Sequence, residues 1–340
     1  MPQPNALRID FASDNVAPIA PEAMESLIAA NAGYAVSYGG DEYSARAADR
    51  LRGFLDTDAE VRFVGSGTAA NAIALTALCR PFEAVVAHDL AHIGVHEAGA
   101  PTYFGHGFQI RGLPGGSGRI DTDALDAVLA EPDSAHHQAP GALSLTQATE
   151  FGAVYAAAHI ARLTGAAKAK GLGVHMDGAR LANAVAAGFD PKDLKGMGVD
   201  LLVVGGTKAG MSCTEALVIF DKVLSRRFDA RLKMSGQLPS KSRFLSAPWI
   251  GMLESGAFIE RAAHANAMAR KLAADCGLSM AHPVESNGVF AHMTEEHHQR
   301  LTKTGWIGFR NKDGSVRFMC SWATTPAAVE ELAAAIRATA

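Results

Sequence analysis

Short apolar runs alternate with alanine-rich stretches of helical spacing along most of this chain. The runs Val61-Arg62-Phe63-Val64, Gly173-Val174-His175-Met176 and Leu201-Leu202-Val203-Val204, with residues 84–87, 143–145 and 216–220, are too short for helices and read as strands. Helices are predicted over residues 21–31, opened by Pro21, over 44–54, with Leu51 and Phe54 on one side, and from Gly65-Ser66-Gly67-Thr68 to Cys79. Apolar strands separated by helical segments imply a parallel or mixed α/β sheet covered on both faces. Functional loops then sit at the carboxyl ends of the strands.

The later part of the chain reads differently. A long helix predicted over residues 249–274, carrying Met252, Phe258 and Ala262, leads to a smaller unit with strands Val289-Phe290-Ala291 and Val316-Arg317-Phe318-Met319 and a last helix over 326–337. Two domains are therefore expected, residues 1–248 with an N-terminal arm and residues 249–340 entered by the long helix. No internal repeat or low-complexity linker interrupts them, and the pairs His136-His137 and His297-His298 read as solvated loops or helix faces.

Composition narrows the function. With 340 residues, 48% hydrophobic, 19% charged and 34 glycines, the chain can bury a large core. Its net charge of −4 and lack of a Lys/Arg cluster argue against a nucleic-acid partner. Neither a secretory leader nor a run of about 18 uncharged apolar residues occurs, so a cytoplasmic protein is expected. Cys79, Cys213, Cys276 and Cys320 show neither CxxC spacing nor a disulfide pattern and read as reduced core thiols.

Three features carry chemistry. Lys208 follows the run at 201–204 within Gly205-Gly206-Thr207-Lys208-Ala209-Gly210, and Asp177 ends another strand. The segment Gly65-Ser66-Gly67-Thr68-Ala69-Ala70-Asn71 follows a strand and opens a helix, so unpaired backbone N–H groups and the positive helix end converge as an anion cup. Each has a plain alternative: a solvated loop lysine, a strand-end turn residue, a helix N-cap at Ser66. The cup also fits a GxGxxA dinucleotide fingerprint, with Glu83 or Asp89 on the ribose, which would make the protein a nicotinamide-dependent oxidoreductase. That reading leaves Lys208 and Asp177 without a task. A pyridoxal phosphate enzyme needs all three: a lysine for the imine, a carboxylate against the ring nitrogen and a phosphate cradle. His92, just past a strand end, can stack on such a ring. His88, His92 and His96 recur every fourth residue, but His88 reads as strand and no further ligand completes a metal set.

These residues resemble the low-specificity L-threonine aldolases, fold-type I pyridoxal phosphate enzymes. The resemblance runs over nearly the whole chain, through Ala12-Ser13-Asp14-Asn15, Tyr38-Gly39-Gly40-Asp41, the cup, Ala91-His92, Thr146-Gln147-Ala148-Thr149-Glu150, His175-Met176-Asp177-Gly178-Ala179-Arg180, Thr207-Lys208 and Val316-Arg317-Phe318. It is most like the bacterial threonine and phenylserine aldolase branch. It implies a mostly parallel seven-stranded sheet between helices with a small C-terminal α/β domain. It also implies that Lys208 carries the cofactor imine, Asp177 pairs with the pyridinium and His92 stacks on the ring. Ser66, Gly67, Thr68 and Thr207 would hold the phosphate, and Ser13, Arg180 and Arg317 the substrate carboxylate, with Arg180 also beside the cofactor. Tyr38 would come from a neighbouring subunit of a homodimer or homotetramer, and Arg231 or Lys233 would add charge near the phosphate. The implied reaction is retro-aldol cleavage of threonine, allo-threonine or phenylserine to glycine and an aldehyde, with His92 as base. Other pyridoxal phosphate chemistry, serine hydroxymethyl transfer or β-elimination, stays open. The sequence departs from the family at Thr149-Glu150, where many members carry a histidine.

Overall fold

The computed structural model describes residues 7–340; the start of the expected N-terminal arm lies outside the described residues. Helices α1 (Pro21–Ala30) and α2 (Glu42–Leu55) precede β1 (Glu60–Val64), α3 (Gly67–Leu78), β2 (Glu83–His88), α4 (His92–Val95), α5 (Ala100–Phe104) and β3 (Gln109–Leu113). Then come α6 (Thr122–Leu129), β4 (Ala139–Thr146), α7 (Ala157–Ala169), β5 (Gly173–Gly178), α8 (Leu181–Ala186), β6 (Leu201–Gly205), β7 (Glu215–Ile219), α9 (Lys222–Ser225), α10 (Phe228–Met234) and α11 (Arg243–Glu254). The chain closes with α12 (Ala257–Asp275), β8 (Gly288–His292), α13 (Glu295–Lys303), β9 (Phe309–Arg310), β10 (Ser315–Met319) and α14 (Pro326–Ala338).

One seven-stranded sheet, ordered β1-β7-β6-β5-β4-β2-β3, forms the centre. It is parallel except for β7, which runs antiparallel to both its neighbours. Every residue of β6 and β7 is buried, which is why those strands read as unbroken apolar runs. A smaller antiparallel sheet, β8-β10-β9, forms the second unit with α12 and α14 around a core that includes Val289, Phe318 and Leu332. The predicted α/β fold class and its seven-stranded sheet are what the structure contains.

Four expectations change. The single helix predicted over 249–274 is two, α11 and α12, separated at Ser255-Gly256 where Gly256 has φ +82°. An α-helix cannot pass through that left-handed turn, and glycine adopts it without a steric penalty. The boundary expected at Trp249 therefore falls inside α11, which packs on α1 and α2. Phe11 of the N-terminal segment is buried in the second core, and Arg8 bridges to Trp306. His297 is buried with Nε2 2.8 Å from the Ile336 carbonyl, so it fixes α13 to α14 instead of facing solvent. Cys213 is exposed while the other three thiols are buried, and all four are free.

Candidate active site

The sheet carries its polar residues at the carboxyl ends of β1, β4, β5 and β6. Asp177 stands opposite Thr146 on one side and Val203 on the other. The glycines after Val204 are a packing requirement: a Cβ on Gly205 would lie 2.2 Å from the Ala179 carbonyl. The chain passes close to the 178–180 turn, and the short 3-10 turn at Thr207–Ala209 sets Lys208 just past the end of β6, next to the β5 end that carries Asp177. Burial, and then the charge of Arg180, push the Lys208 ammonium below its ordinary pKa. Asp14, Asp177 and Glu215 pull the other way through space, yet none of the described carboxylates forms an ion pair with it.

Asp177 is buried. Its Oδ1 accepts from the Ala179 N–H at 2.9 Å and its Oδ2 from Asn71 Nδ2 at 2.9 Å. Burial opposes its ionisation, but the Lys208 charge and these hydrogen bonds outweigh it and hold the carboxyl below the usual carboxylate range. Two residues earlier on the same strand face, His175 is pushed down to about 4 by burial, with Nδ1 2.9 Å from Ser144 Oγ.

The segment at Gly65–Asn71 joins β1 to α3, with Ser66 as the helix N-cap. Ser66 Oγ accepts from the Ala69 N–H at 3.2 Å, and Gly65 N–H donates to Gln237 Oε1 at 2.9 Å. A Cβ on Gly67 would meet no atom within 4 Å, so the first turn of α3, with its unpaired N–H groups, opens onto free space. Thr207 Oγ1 contacts the Ser212 carbonyl and the Thr214 N–H in its own loop. Arg231 does not reach the cup: its Nη1 donates to the Thr76 carbonyl at 3.1 Å, near the opposite end of α3. Lys233 instead places Nζ 4.6 Å from the ring centre of Tyr38, which is 52% exposed at φ +58°.

His92 opens α4. Its backbone N–H donates to Glu150 Oε1 at 2.9 Å, and Thr146 Oγ1 donates to the same oxygen at 3.0 Å. Glu150, the residue that departs from the family pattern, is thus a buried cap under His92 and Thr146, and burial raises its pKa. His92 Nδ1 lies 2.8 Å from Glu97 Oε1, and Asn71 Nδ2 also donates to that oxygen at 2.8 Å. The three histidines do not form one face. His88 ends β2 with Nε2 3.1 Å from the Gly115 carbonyl, whereas α4 begins at His92.

Of the three residues expected at the carboxylate end, Arg180 and Ser13 have partners within the protein. Arg180 donates to Asp14 from Nε at 2.7 Å and from Nη2 at 2.9 Å, and Asn287 Nδ2 holds the same carboxylate at 3.0 Å. Ser13 Oγ accepts from the Asn15 N–H at 3.2 Å. Arg317, on β10, carries a buried Nε with no partner among the described residues, and burial followed by the Arg180 charge lowers its pKa. Asp14, Asn71, Glu97 and Asn287 were not predicted. The first two stood inside segments the sequence singled out, and Glu97 lies five residues after His92, past the end of α4; only the fold brings them together.

The dinucleotide reading fails on position. Glu83 starts β2, at the end of the sheet away from the cup, and its Oε2 accepts from the Arg80 N–H at 2.8 Å. Asp89, past the end of β2, lies against His88, with Oδ1 3.2 Å from Nδ1.

A mostly parallel seven-stranded sheet with a lysine, a buried carboxylate and an anion cup at its strand ends is the architecture of the fold-type I pyridoxal phosphate enzymes. The chain belongs to the β-eliminating lyase family, whose profile matches residues 10–296. It is 43% identical over 339 residues to a low specificity L-threonine aldolase of a Pseudomonas species (strain NCIMB 10558), covering 96% of this chain and 97% of the relative. The protein of that name from Pseudomonas aeruginosa is 42% identical over 338 residues, 96% of each chain. Among solved structures, a Leishmania major threonine aldolase superposes with a TM-score of 0.91 at 29% identity, over 97% of this chain and 99% of that one.

Proposed function

We propose that this protein is a pyridoxal phosphate-dependent aldehyde-lyase that cleaves L-threonine, L-allo-threonine or a related β-hydroxy-α-amino acid such as phenylserine to glycine and an aldehyde. It acts as a cytoplasmic homodimer or homotetramer with shared active sites. The observation that carries the reading is Lys208, a half-buried ammonium without an ion-pair partner among the described residues, at the end of β6 next to the β5 end that carries Asp177, and at the same end of the sheet as the β1–α3 turn. Identity above 40% over nearly the full length to proteins named for this activity supports the substrate class.

In this reading Lys208 would hold the cofactor covalently, Asp177 would face its ring nitrogen, and Ser66, Gly67, Thr68 and Thr207 would hold its phosphate. When bound, pyridoxal phosphate supplies the electron sink that lets the Cα–Cβ bond break. Arg317, with Arg180 and Ser13, orients the substrate carboxylate, for which the planar guanidinium fork suits two parallel hydrogen bonds. His92 would lie over the ring, and its imidazole would take the β-hydroxyl proton. Tyr38 serves the neighbouring subunit's site; its half-exposed ring, with the exposed Tyr34 and Val36 nearby, favours a covered surface there. The large unit ends near Gly256, where α11 gives way to α12.

The test is direct. Purified protein should show a visible absorption band that borohydride bleaches, with the cofactor then fixed on Lys208. It should release glycine and aldehyde from L-threonine, L-allo-threonine and phenylserine without folate. A colourless protein that cannot be reconstituted would rule out the cofactor, and a coloured one inactive on all three would rule out the substrate class.

A further inference from the structure

Two residues without an assigned role, Asn71 and Glu97, link Asp177 to His92 through a chain of hydrogen bonds. Glu97 has no accessible side-chain surface, while the His92 side chain is 39% exposed, so the imidazole spans from a sealed carboxylate to the open cleft. The Asn71 amide faces two oxygens, Glu97 Oε1 at 2.8 Å and Asp177 Oδ2 at 2.9 Å. Ionised carboxylates only accept, so the amide must present its NH₂ to both. The same rule applies to His92. With Glu97 as the acceptor, Nδ1 at 2.8 Å from its Oε1 carries the hydrogen, and in the neutral ring Nε2 is then the acceptor. Around this unit, His96 stacks obliquely at 5.6 Å between ring centres and Glu150 holds the His92 backbone. Neither competes for the His92 ring nitrogens.

We propose that Glu97 is a positioning residue that locks the His92 imidazole in the Nδ1-protonated tautomer, so that Nε2 is free to take the β-hydroxyl proton. The inference rests on the reading of His92 as the base. The proton passes from the β-oxygen to Nε2, and the O–H electron pair becomes the second C–O bond of the aldehyde. The Cα–Cβ pair stays with the amino-acid half, and a proton returned to Cα completes glycine. The imidazolium formed in between faces the Glu97 carboxylate. Asn71 ties that carboxylate to Asp177, so the proton-accepting group and the ring-nitrogen partner are held as one rigid unit. Glu97 Oε2 is buried without a partner, so an amide at this position would bury its NH₂ unpaired or turn it toward His92, and the tautomer would no longer be fixed.

The experiment compares cofactor-loaded wild type, Glu97→Gln and Glu97→Ala, read by ring ¹⁵N shifts of histidine-labelled enzyme, by kcat and KM, and by the visible band. The His92 signal is identified by its loss in His92→Phe. Wild type should show Nδ1 protonated and Nε2 bare, and Glu97→Gln a mixed or reversed tautomer. In Glu97→Gln kcat should fall by about 10- to 100-fold with KM little changed and the visible band retained. Glu97→Ala should fall at least as far; if it does not fold, the glutamine variant decides alone. Unchanged ring shifts, unchanged kcat, or a loss of activity that follows loss of the band would each overturn the proposal. A wild type that never develops a band would instead overturn the cofactor reading, while the ring shifts of the protein itself still test the tautomer.

Discussion

Arg180 gives two of its guanidinium N–H groups to Asp14, from Nε at 2.7 Å and from Nη2 at 2.9 Å. Burial would raise the Asp14 pKa, but the Arg180 charge and hydrogen bonds hold it down to about 2. The pair is thus a fixed, ionised brace joining the N-terminal segment to the turn after β5. Its bidentate geometry leaves Arg180 little freedom to follow a substrate and makes Arg317, with its unpartnered Nε, the more available guanidinium.

Replacing Asp14 by Asn should strand a buried guanidinium without its counter-charge. Removal of one partner from a buried pair costs about 3–5 kcal/mol. Urea unfolding of the cofactor-free protein should show a loss of that order for Asp14→Asn, and a loss under about 1 kcal/mol would mean that Asn287 and solvent compensate.

Arg317→Leu should raise KM for the amino acid by about tenfold to a hundredfold, since charge-assisted hydrogen bonds contribute about 1.5–3 kcal/mol each. Binding of the matching amino alcohol, which lacks the carboxylate, should be unaffected. Equal weakening of both ligands would show that Arg317 supports the pocket's shape and not the carboxylate.

Gly67→Ala probes the open space at the start of α3. A Cβ there meets nothing in the protein itself, so cofactor-free stability should stay within about 1 kcal/mol of wild type. Phosphate binding should suffer, because the methyl group occupies the anion's place. We expect pyridoxal phosphate affinity to fall at least about tenfold by equilibrium titration, a loss of roughly 1.4 kcal/mol. Unchanged affinity would move the phosphate elsewhere.

Glu215 provides a pH test. It lies fully buried beneath the Lys208 loop, its Oε2 accepts from the Gly206 N–H at 2.7 Å, and burial raises its pKa from 4.5 to about 7. Between those values the folded state holds the proton and the unfolded chain has lost it, so stability falls as pH rises through this window and levels off above about 7. Glu215→Gln stays neutral and should lack this loss. In cofactor-free protein, the stability difference between variant and wild type should grow by about 3 kcal/mol from pH 4 to pH 8, as read by urea midpoints. A constant difference would refute the assignment.

Much of the fold was legible because burial on both sheet faces favours apolar runs, as in β6 and most of β7. β3 was not: Gln109-Ile110-Arg111-Gly112-Leu113 lies at the sheet edge, and with one side open it needs no such run. The break between α11 and α12 was missed because a single left-handed glycine hardly disturbs a helical pattern of apolar positions.

By itself the sequence determined the strand-and-helix order, the glycine-lined cup and the residue types at the strand ends: Lys208, Asp177 and His92. These are local matters, fixed by period, by chain-end hydrogen bonding and by chemistry within a few residues. Which groups face one another was decided by the tertiary structure alone. Asp14 meets Arg180 across 166 residues, and Asn71 meets Asp177 across 106, because a parallel sheet gathers its strand ends from distant parts of the chain. A buried charge must find its partner in that assembled space, and no spacing along the chain records where the partner stands.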